Sequence, residues 1–176
     1  MIARLERWTA IAAVVATSAC DRGFRPLEKG DAAPAYAAVS LSGDTVSLAH
    51  LRGHAVLLNV WATWCPPCRD EMPGFEQLSQ TFRDSGLVVV GVSVDRGGSD
   101  SDVREFLTAH GVRFTIVRDP EERIARTFRT VGVPETFLVD RSGRIARRWI
   151  GQFDPLSPDV ITDLRAALGP TSRRGG

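Results

Sequence analysis

The sequence predicts one α/β domain in which a buried sheet is packed against helices. Continuous apolar runs rich in β-branched residues, at 55–61 and 86–95, are typical of strands buried on both faces. Segments with helical spacing alternate with these strands. The chain has 176 residues, 43% of them hydrophobic, which suits one globular core. Its 22 basic and 21 acidic residues nearly cancel and form no long basic cluster, which argues against nucleic-acid binding.

The predicted elements follow in a regular order along the chain. Two short alternating runs meet at Ser42-Gly43-Asp44 and predict a hairpin, and a second hairpin is predicted at Arg141-Ser142-Gly143. The second hairpin joins strands at 135–140 and 144–150. The other predicted elements are a helix from about Cys65 to Phe82, a helix at 101–110, a strand at 113–117, a short helix at 120–129 and a closing helix at 156–168.

The N-terminus has the composition of a bacterial export signal. Arg4 and Arg7 precede an apolar run at 8–19, which is too short for a stable spanning helix and ends in small residues before Cys20. The sequence ATSAC resembles a lipoprotein cleavage box, in which the cysteine becomes the lipidated first residue. An uncleaved signal anchor is the alternative. The predicted organisation is a signal peptide at 1–19, lipidated Cys20, a tether at 20–33, a folded domain at 34–168 and a flexible tail at 169–176.

Cys65 and Cys68 stand where a buried strand ends and a helix is expected to begin. The unpaired N–H groups and partial positive charge of a helix start favour a thiolate. Pro66 and Pro67 suit the first helical positions, which need no N–H donor. Cysteines at i and i+3 share a face and can form a disulfide. We expect Cys65, at the exposed end, to be the nucleophile with the lower pKa, and Cys68 to be the resolving thiol.

One face of this helix places an acid among apolar side chains. Its residues are spaced 3, 4, 3 and 4 apart, as on the core side of a helix: Cys68, Glu71, Phe75, Leu78 and Phe82. A carboxylate that loses water there has a raised pKa, and Glu71 can then exchange a proton with the resolving thiol. The alternative is that Glu71 turns outward and its charge favours the helix dipole.

A zinc site and a structural disulfide are weaker candidates for the cysteine pair. A zinc site needs further ligands, and His50, His54 and His110 form no second paired motif. A purely structural disulfide would restrain the unfolded chain very little, because it closes so short a loop. A dithiol that switches between oxidised and reduced forms is therefore favoured, and no metal or cofactor is predicted.

Four segments resemble a known family when taken in order: GDAAPAY, LRGHAVLLNVWATWCPPC, CRDEMP and GVPETFLVD. They resemble the membrane-anchored TlpA-like or ResA-like thioredoxin family, which includes the cytochrome c maturation reductases, over roughly residues 30–168. The resemblance implies a thioredoxin-like sandwich with an N-terminal hairpin and an inserted strand–helix unit at about 86–112. It also implies that Cys65 attacks a substrate disulfide and that Cys68 releases the mixed disulfide.

The resemblance extends to residues around the cysteines. Glu71 matches the family's acid near the thiols, while Asn59 stands where cytosolic thioredoxins carry a buried aspartate. Pro134 matches a proline that is cis beside the active site, which would turn the backbone of Val133 towards a substrate. Trp64 is expected to be a contact surface flanking the cysteines, whereas Trp61 is expected in the core.

The function that the resemblance implies is a thiol-disulfide oxidoreductase, exported and membrane-anchored, facing the periplasm or cell exterior. It would reduce disulfides in exported proteins such as apocytochrome c, a substrate also suggested by Glu135, which follows Pro134 as in the cytochrome-maturation branch. Because that compartment is oxidising, the implied electron donor is a transmembrane thiol relay. A thiol peroxidase shares the fold but carries a Pro-rich motif and a threonine spacing that this chain lacks. A copper-delivery protein would need a histidine near the thiols.

Overall fold

The computed structural model describes residues 25–97 and 100–170. The predicted signal peptide, Cys20 and most of the predicted tail lie outside these residues. Within the described ranges, no helix is both long enough and apolar enough to cross a membrane.

The described residues form seven strands and four helices. The strands are β1 (Ala37–Ser40), β2 (Thr45–Ser47), β3 (Ala55–Trp61), β4 (Leu87–Ser93), β5 (Thr115–Arg118), β6 (Glu135–Val139) and β7 (Ile145–Ile150). The helices are α1 (Pro66–Phe82), α2 (Asp100–Ala109), α3 (Arg123–Phe128) and α4 (Pro158–Leu168). The predicted α/β class and both predicted hairpins are confirmed.

All seven strands belong to one sheet, in the order β2-β1-β5-β4-β3-β6-β7. β3 and β4 are parallel and run in register from Ala55 opposite Leu87 to Trp61 opposite Ser93. β4 and β5 are also parallel, whereas the outer pairs are antiparallel. Every residue of β3 is buried, which explains its unbroken apolar sequence. The strand–helix unit expected at about 86–112 corresponds to β4 and α2, and β4 lies inside the sheet between β3 and β5.

A glycine allows close packing at the centre of this sheet. A Cβ atom on Gly91, in β4, would lie 2.6 Å from Cδ1 of Ile116 and 3.0 Å from Nε1 of Trp61. Cε2 of Phe114 would lie 3.2 Å from the same Cβ atom, and Trp61 and Phe114 are both buried. The absence of a side chain at Gly91 therefore lets the aromatic core approach the backbone of β4.

Two predicted boundaries need correction. The short helix predicted at 120–129 is only Arg123–Phe128, because Glu122 and Arg129 adopt left-handed backbone conformations, with φ of 51° and 55°. The end of the predicted tether, at residue 33, is too late. Gly30 N–H donates to Ile145 O, Ile145 N–H donates to Asp31 O and Ala33 N–H donates to Gly143 O, at 2.8–2.9 Å. These bonds attach residues 30–33 to β7 and its turn, so the folded part begins before residue 34.

Candidate active site

The two cysteines lie at the junction of β3 and α1. Cys65 is the N-cap of α1, with φ −93° and ψ 104°, and its Sγ accepts a hydrogen bond from Cys68 N–H at 3.3 Å. Pro66 and Pro67 occupy the first two helical positions. Cys65 and Cys68 form a disulfide with a Cα–Cα distance of 5.3 Å. The predicted helix start and the proximity of the cysteines are confirmed.

The expected difference in exposure between the cysteines is wrong for this oxidised form. Cys65 is 3% exposed and Cys68 is 1% exposed, so neither stands at an open helix end. The reason is that Cys65 precedes the helix and sits in a turn, closed by a hydrogen bond from its own N–H to Ala62 O at 3.2 Å. The assignment of Cys65 as nucleophile and Cys68 as resolving thiol stays a prediction.

Glu71 lies one helical turn below Cys68 and faces the core. Its side chain is buried with the rest of the predicted stripe, of which only Phe82 is partly exposed. Oε1 accepts a hydrogen bond from Phe153 N–H at 2.7 Å, and Oε2 is buried with no partner among the described residues. Burial raises the pKa of Glu71 to about 7; the Phe153 hydrogen bond opposes this shift, and the charge of Asp70 adds to it. The alternative of an outward-turned carboxylate is therefore wrong.

The loop that binds Glu71 was not predicted from the sequence. Phe153 lies between β7 and α4, 82 residues from Glu71. Its ring stacks on Trp149 at 4.9 Å and meets Phe75 edge-on at 5.8 Å. These aromatic contacts place the backbone of the loop against Glu71. No local sequence pattern predicts which main-chain N–H will bind a buried carboxylate. The aromatic residues Trp149 and Phe153, however, could have indicated that this loop packs against the core.

In this chain an uncharged residue, Asn59, stands where cytosolic thioredoxins carry a buried aspartate. Asn59 lies in β3 and is 1% exposed, and its Nδ2 donates to Thr136 Oγ1 at 3.0 Å. Asn59 cannot ionise at physiological pH, so the buried acid that the structure provides near the cysteines on α1 is Glu71.

A groove is lined in part by Trp64, the residue that precedes Cys65. It has a volume of about 220 Å³ and is lined by Val60, Trp64, Val94, Ile124, Val131 and Val133, among others. Trp64 is 63% exposed and Val131 is 61% exposed, whereas Trp61 is fully buried, as predicted. The Val133–Pro134 peptide bond is cis, and Pro134 is buried behind the groove. The structure thus brings Trp64 and Val133 together on one apolar surface.

The carboxylate of Glu135 is bound by an arginine side chain and by a backbone N–H of the protein itself. Its Oε1 accepts from Arg148 Nε at 2.6 Å and its Oε2 accepts from Val131 N–H at 2.8 Å. Arg148 also donates to Arg129 O at 3.2 Å. This buried ion pair holds the loop from Arg129 to Pro134 against β7. The carboxylate of Glu135 therefore supports the loop that lines the groove and is itself buried.

Two of the three histidines lie at the far end of the sheet. His50 and His54 precede β3, whereas the disulfide follows it, and the seven residues of β3 span roughly 20 Å. Among the described residues, no group of three or more His, Cys, Asp and Glu side chains is arranged to hold a metal ion.

Comparison with known proteins identifies the family. The model of the AhpC/TSA family matches residues 29–148. The thiol-disulfide oxidoreductase ResA of Bacillus subtilis is 30% identical over 153 residues, which cover 87% of this chain and 83% of ResA. The thioredoxin-like protein YneN of Bacillus subtilis is 34% identical over 138 residues, which cover 78% of this chain and 81% of YneN.

A solved structure extends the similarity to the fold. The crystal structure of a thiol:disulfide interchange protein DsbE from Chlorobium tepidum has a TM-score of 0.74 and 33% sequence identity. The match covers 81% of this chain and 99% of the DsbE chain. The predicted thioredoxin-like fold is confirmed by this likeness. The chain therefore belongs to the AhpC/TSA family and is a thiol-disulfide oxidoreductase of the ResA type.

Proposed function

We propose that this oxidoreductase is an exported, membrane-anchored reductase of disulfides in other exported proteins. The observation that carries the proposal is the Cys65–Cys68 disulfide at the start of α1 with a buried acid, whose pKa is about 7, one turn below it. Such an acid can accept or release a proton near neutral pH, which a resolving thiol needs.

The proposed reaction passes two electrons from the dithiol to the substrate. The Cys65 thiolate attacks one sulfur of a substrate disulfide, forms a mixed disulfide and releases one substrate thiolate, which is then protonated. Cys68 gives its proton to ionised Glu71 and attacks Sγ of Cys65. The Cys65–Cys68 disulfide forms and the second substrate thiolate leaves. Glu71, which now carries the proton from Cys68, can donate it to that thiolate. A second dithiol must then reduce the enzyme, since the chain has only one cysteine besides this pair.

The groove beside Trp64 supports a protein substrate. Its exposed apolar side chains, Trp64 and Val131, suit an extended segment of polypeptide that presents a disulfide to Cys65. The backbone of Val133, on the same groove, is the proposed place where such a segment pairs as an edge strand. Pro134 acts in this proposal by shaping that backbone.

The finer assignments rest on the family resemblance and on the N-terminal sequence. Apocytochrome c is the substrate that the resemblance implies, and the buried position of Glu135 removes that residue as a separate argument for it. The composition of residues 1–20 supports export with a lipid anchor at Cys20, facing the periplasm or cell exterior. In that oxidising compartment the electron donor is proposed to be a transmembrane thiol relay.

A peroxidase and a copper-delivery protein find less support. A thiol peroxidase would use a threonine hydroxyl near its nucleophile, but Thr63 does not have the required spacing from Cys65, and its hydroxyl donates to Asp95 at 2.6 Å. A copper-delivery protein would need a histidine beside the thiols, and His50 and His54 lie beyond the opposite end of β3. The reduced protein is expected to consume peroxide no faster, and to bind copper no more tightly, than a simple peptide dithiol does.

The test is covalent capture in the native host. Replacing Cys68 with Ala removes the resolving thiol, so that substrates remain disulfide-bonded to Cys65 and can be identified by mass spectrometry. The matched control is the variant that lacks both Cys65 and Cys68, which can capture nothing through this site. We expect exported proteins with paired cysteines, apocytochromes c among them. Capture equal to that of the control would refute the proposed reductase, and capture without any apocytochrome would refute that substrate.

A further inference from the structure

A second buried acid, Asp95, contacts the turn that precedes the cysteines. Asp95 follows β4 and is 5% exposed. Its carboxylate accepts from Thr63 N–H, at 3.0 Å to Oδ1 and 3.2 Å to Oδ2, and from the Thr63 hydroxyl at 2.6 Å. Ser93 Oγ donates to Oδ2 at 2.8 Å. One side chain thus ties the turn after β3 to the end of β4.

The charge of this carboxylate is compensated from β5. Arg118 Nη1 lies 4.0 Å from Asp95 Oδ2, and Nη2 donates to the backbone carbonyl of Asp95 at 3.3 Å. The guanidinium also donates to Ser93 Oγ and pairs with Asp100 at 3.1 Å. A buried carboxylate with hydrogen bonds and a counter-charge can remain in place without a large penalty. The hydrogen bonds and the counter-charge therefore hold the carboxylate of Asp95 next to Thr63.

The turn that Asp95 holds carries both the reactive thiol and the wall of the groove. Thr63 directly precedes Trp64 and Cys65, and the turn closes through Cys65 N–H to Ala62 O. Val94, next to Asp95, lines the same groove as Trp64. A change in the Thr63–Asp95 contact would therefore move Trp64 and Cys65 relative to the rest of the groove.

We propose that Asp95 is a positioning residue for thiol-disulfide exchange, acting through Thr63 to hold Trp64 and Cys65 in register with the groove. The inference rests on the proposed role of Cys65 as the attacking thiol. Asp95 itself touches neither cysteine in this role. Its effect is expected in reactions with a disulfide that occupies the groove, and far less with a small disulfide that reaches Cys65 without it.

The test measures the rates at which the reduced protein attacks two probes, a synthetic extended peptide with an internal disulfide and hydroxyethyl disulfide. We expect Asp95→Ala to slow the peptide reaction by about tenfold or more, because small misplacements of a reacting group are costly, and to change the small-probe rate by less than about threefold. In Asp95→Asn the side-chain oxygen can still accept from both Thr63 N–H and the Thr63 hydroxyl, which now bond to Oδ1, and the NH2 group can donate to Ser93 Oγ. This variant should therefore keep the peptide rate within about threefold of the wild type.

Thr63→Val and the double variant test whether the two residues act together. Thr63→Val should slow the peptide reaction, and adding it to Asp95→Ala should cause little further loss, since both changes break the same contact. The matched control is Glu76→Ala. Glu76 is a buried acid that accepts from two backbone N–H groups, those of Arg113 and Phe114, away from the turn. This variant should lose stability and keep the ratio of the two rates.

Several outcomes would overturn the inference. If Asp95→Ala and Asp95→Asn slowed the peptide reaction equally, the effect would come from the charge of Asp95. If a variant slowed the reactions with both probes equally, the effect would come from the reactivity of the Cys65 thiol. Faster attack on the peptide by Cys65→Ala, which keeps only Cys68, than by Cys68→Ala would refute the role of Cys65 and the inference with it. Capture on Cys65 at the same rate in Cys68→Ala and in the double variant Asp95→Ala/Cys68→Ala would refute the inference alone.

Discussion

Replacing Glu71 with Gln should make the stability of the oxidised protein less dependent on pH. The pKa of Glu71 rises from an ordinary value of 4.5 to about 7 on folding, chiefly through burial. The folded protein therefore binds this proton more tightly than the unfolded chain does. The contribution of Glu71 to the free energy of unfolding is fully present below pH 4.5, and it is lost as the pH rises from about 4.5 to about 7.

The size of the effect follows from the two pKa values. A pKa difference of one corresponds to about 1.4 kcal/mol, so ionising Glu71 in the folded state costs about 3 kcal/mol above pH 7. Gln resembles the protonated acid in shape and keeps an oxygen for Phe153 N–H. We therefore expect wild type and Glu71→Gln to have nearly equal stability at pH 4. At pH 8 the variant should be more stable by up to about 3 kcal/mol.

The assay is urea unfolding of the oxidised proteins between pH 4 and pH 8, in which the disulfide prevents the thiols from titrating. The matched control is Glu76→Gln, also on α1. Burial raises the pKa of Glu76, but hydrogen bonds from Arg113 N–H, Gln80 and Phe114 N–H together lower it below its ordinary value. Glu76→Gln should therefore be less stable than wild type at pH 6–8, with a difference that hardly changes over this range.

Parallel stability curves for wild type and Glu71→Gln would refute the reasoning, since every other group is common to both proteins. In the reduced proteins, the loss of a nearby acid should move the titration of the thiols to lower pH, measured by thiolate absorbance. Reduction of the true partner should slow, because proton transfer from Cys68 is impaired. Unchanged thiol titration and unchanged rates would require another proton carrier.

Three further predictions can be tested separately. Cys20→Ser should release the protein from membranes into the soluble fraction; a wild type that is already soluble with a different N-terminus would contradict the lipid anchor. In the reduced protein, an alkylating agent near neutral pH should modify Cys65 and spare Cys68, and the reverse order would exchange their roles. Gly91→Ala should lower the free energy of unfolding by about 1–3 kcal/mol, because the added Cβ would lie 2.6 Å from a core isoleucine atom. Gly132→Ala, where nothing lies within 4 Å, is its control.

The sequence by itself determined most of the secondary-structure elements and the position of the cysteines at the start of a helix. Strands β3 and β4 were readable because burial on both faces requires continuous apolar residues. The start of α1 could be predicted because prolines tolerate the first helical positions. The burial of Glu71 could be predicted from the 3.6-residue period of the helix. These are local rules that act within a few residues. The helix predicted at 120–129 was too long because residues in left-handed conformations interrupt it at both ends, which residue type alone does not reveal.

Only the tertiary structure decided how distant residues support the site. Phe153 meets Glu71 across 82 residues, Asp95 meets Thr63 across 32, and the carboxylate of Glu135 is taken up by Arg148 on the neighbouring strand. Each contact depends on strand order and on the loops that follow the strands. A local pattern predicts that a side chain is buried, but it does not specify which backbone N–H or counter-charge will meet it. The physical reason is that a buried polar group takes its partner from whatever the folded sheet brings within hydrogen-bonding distance.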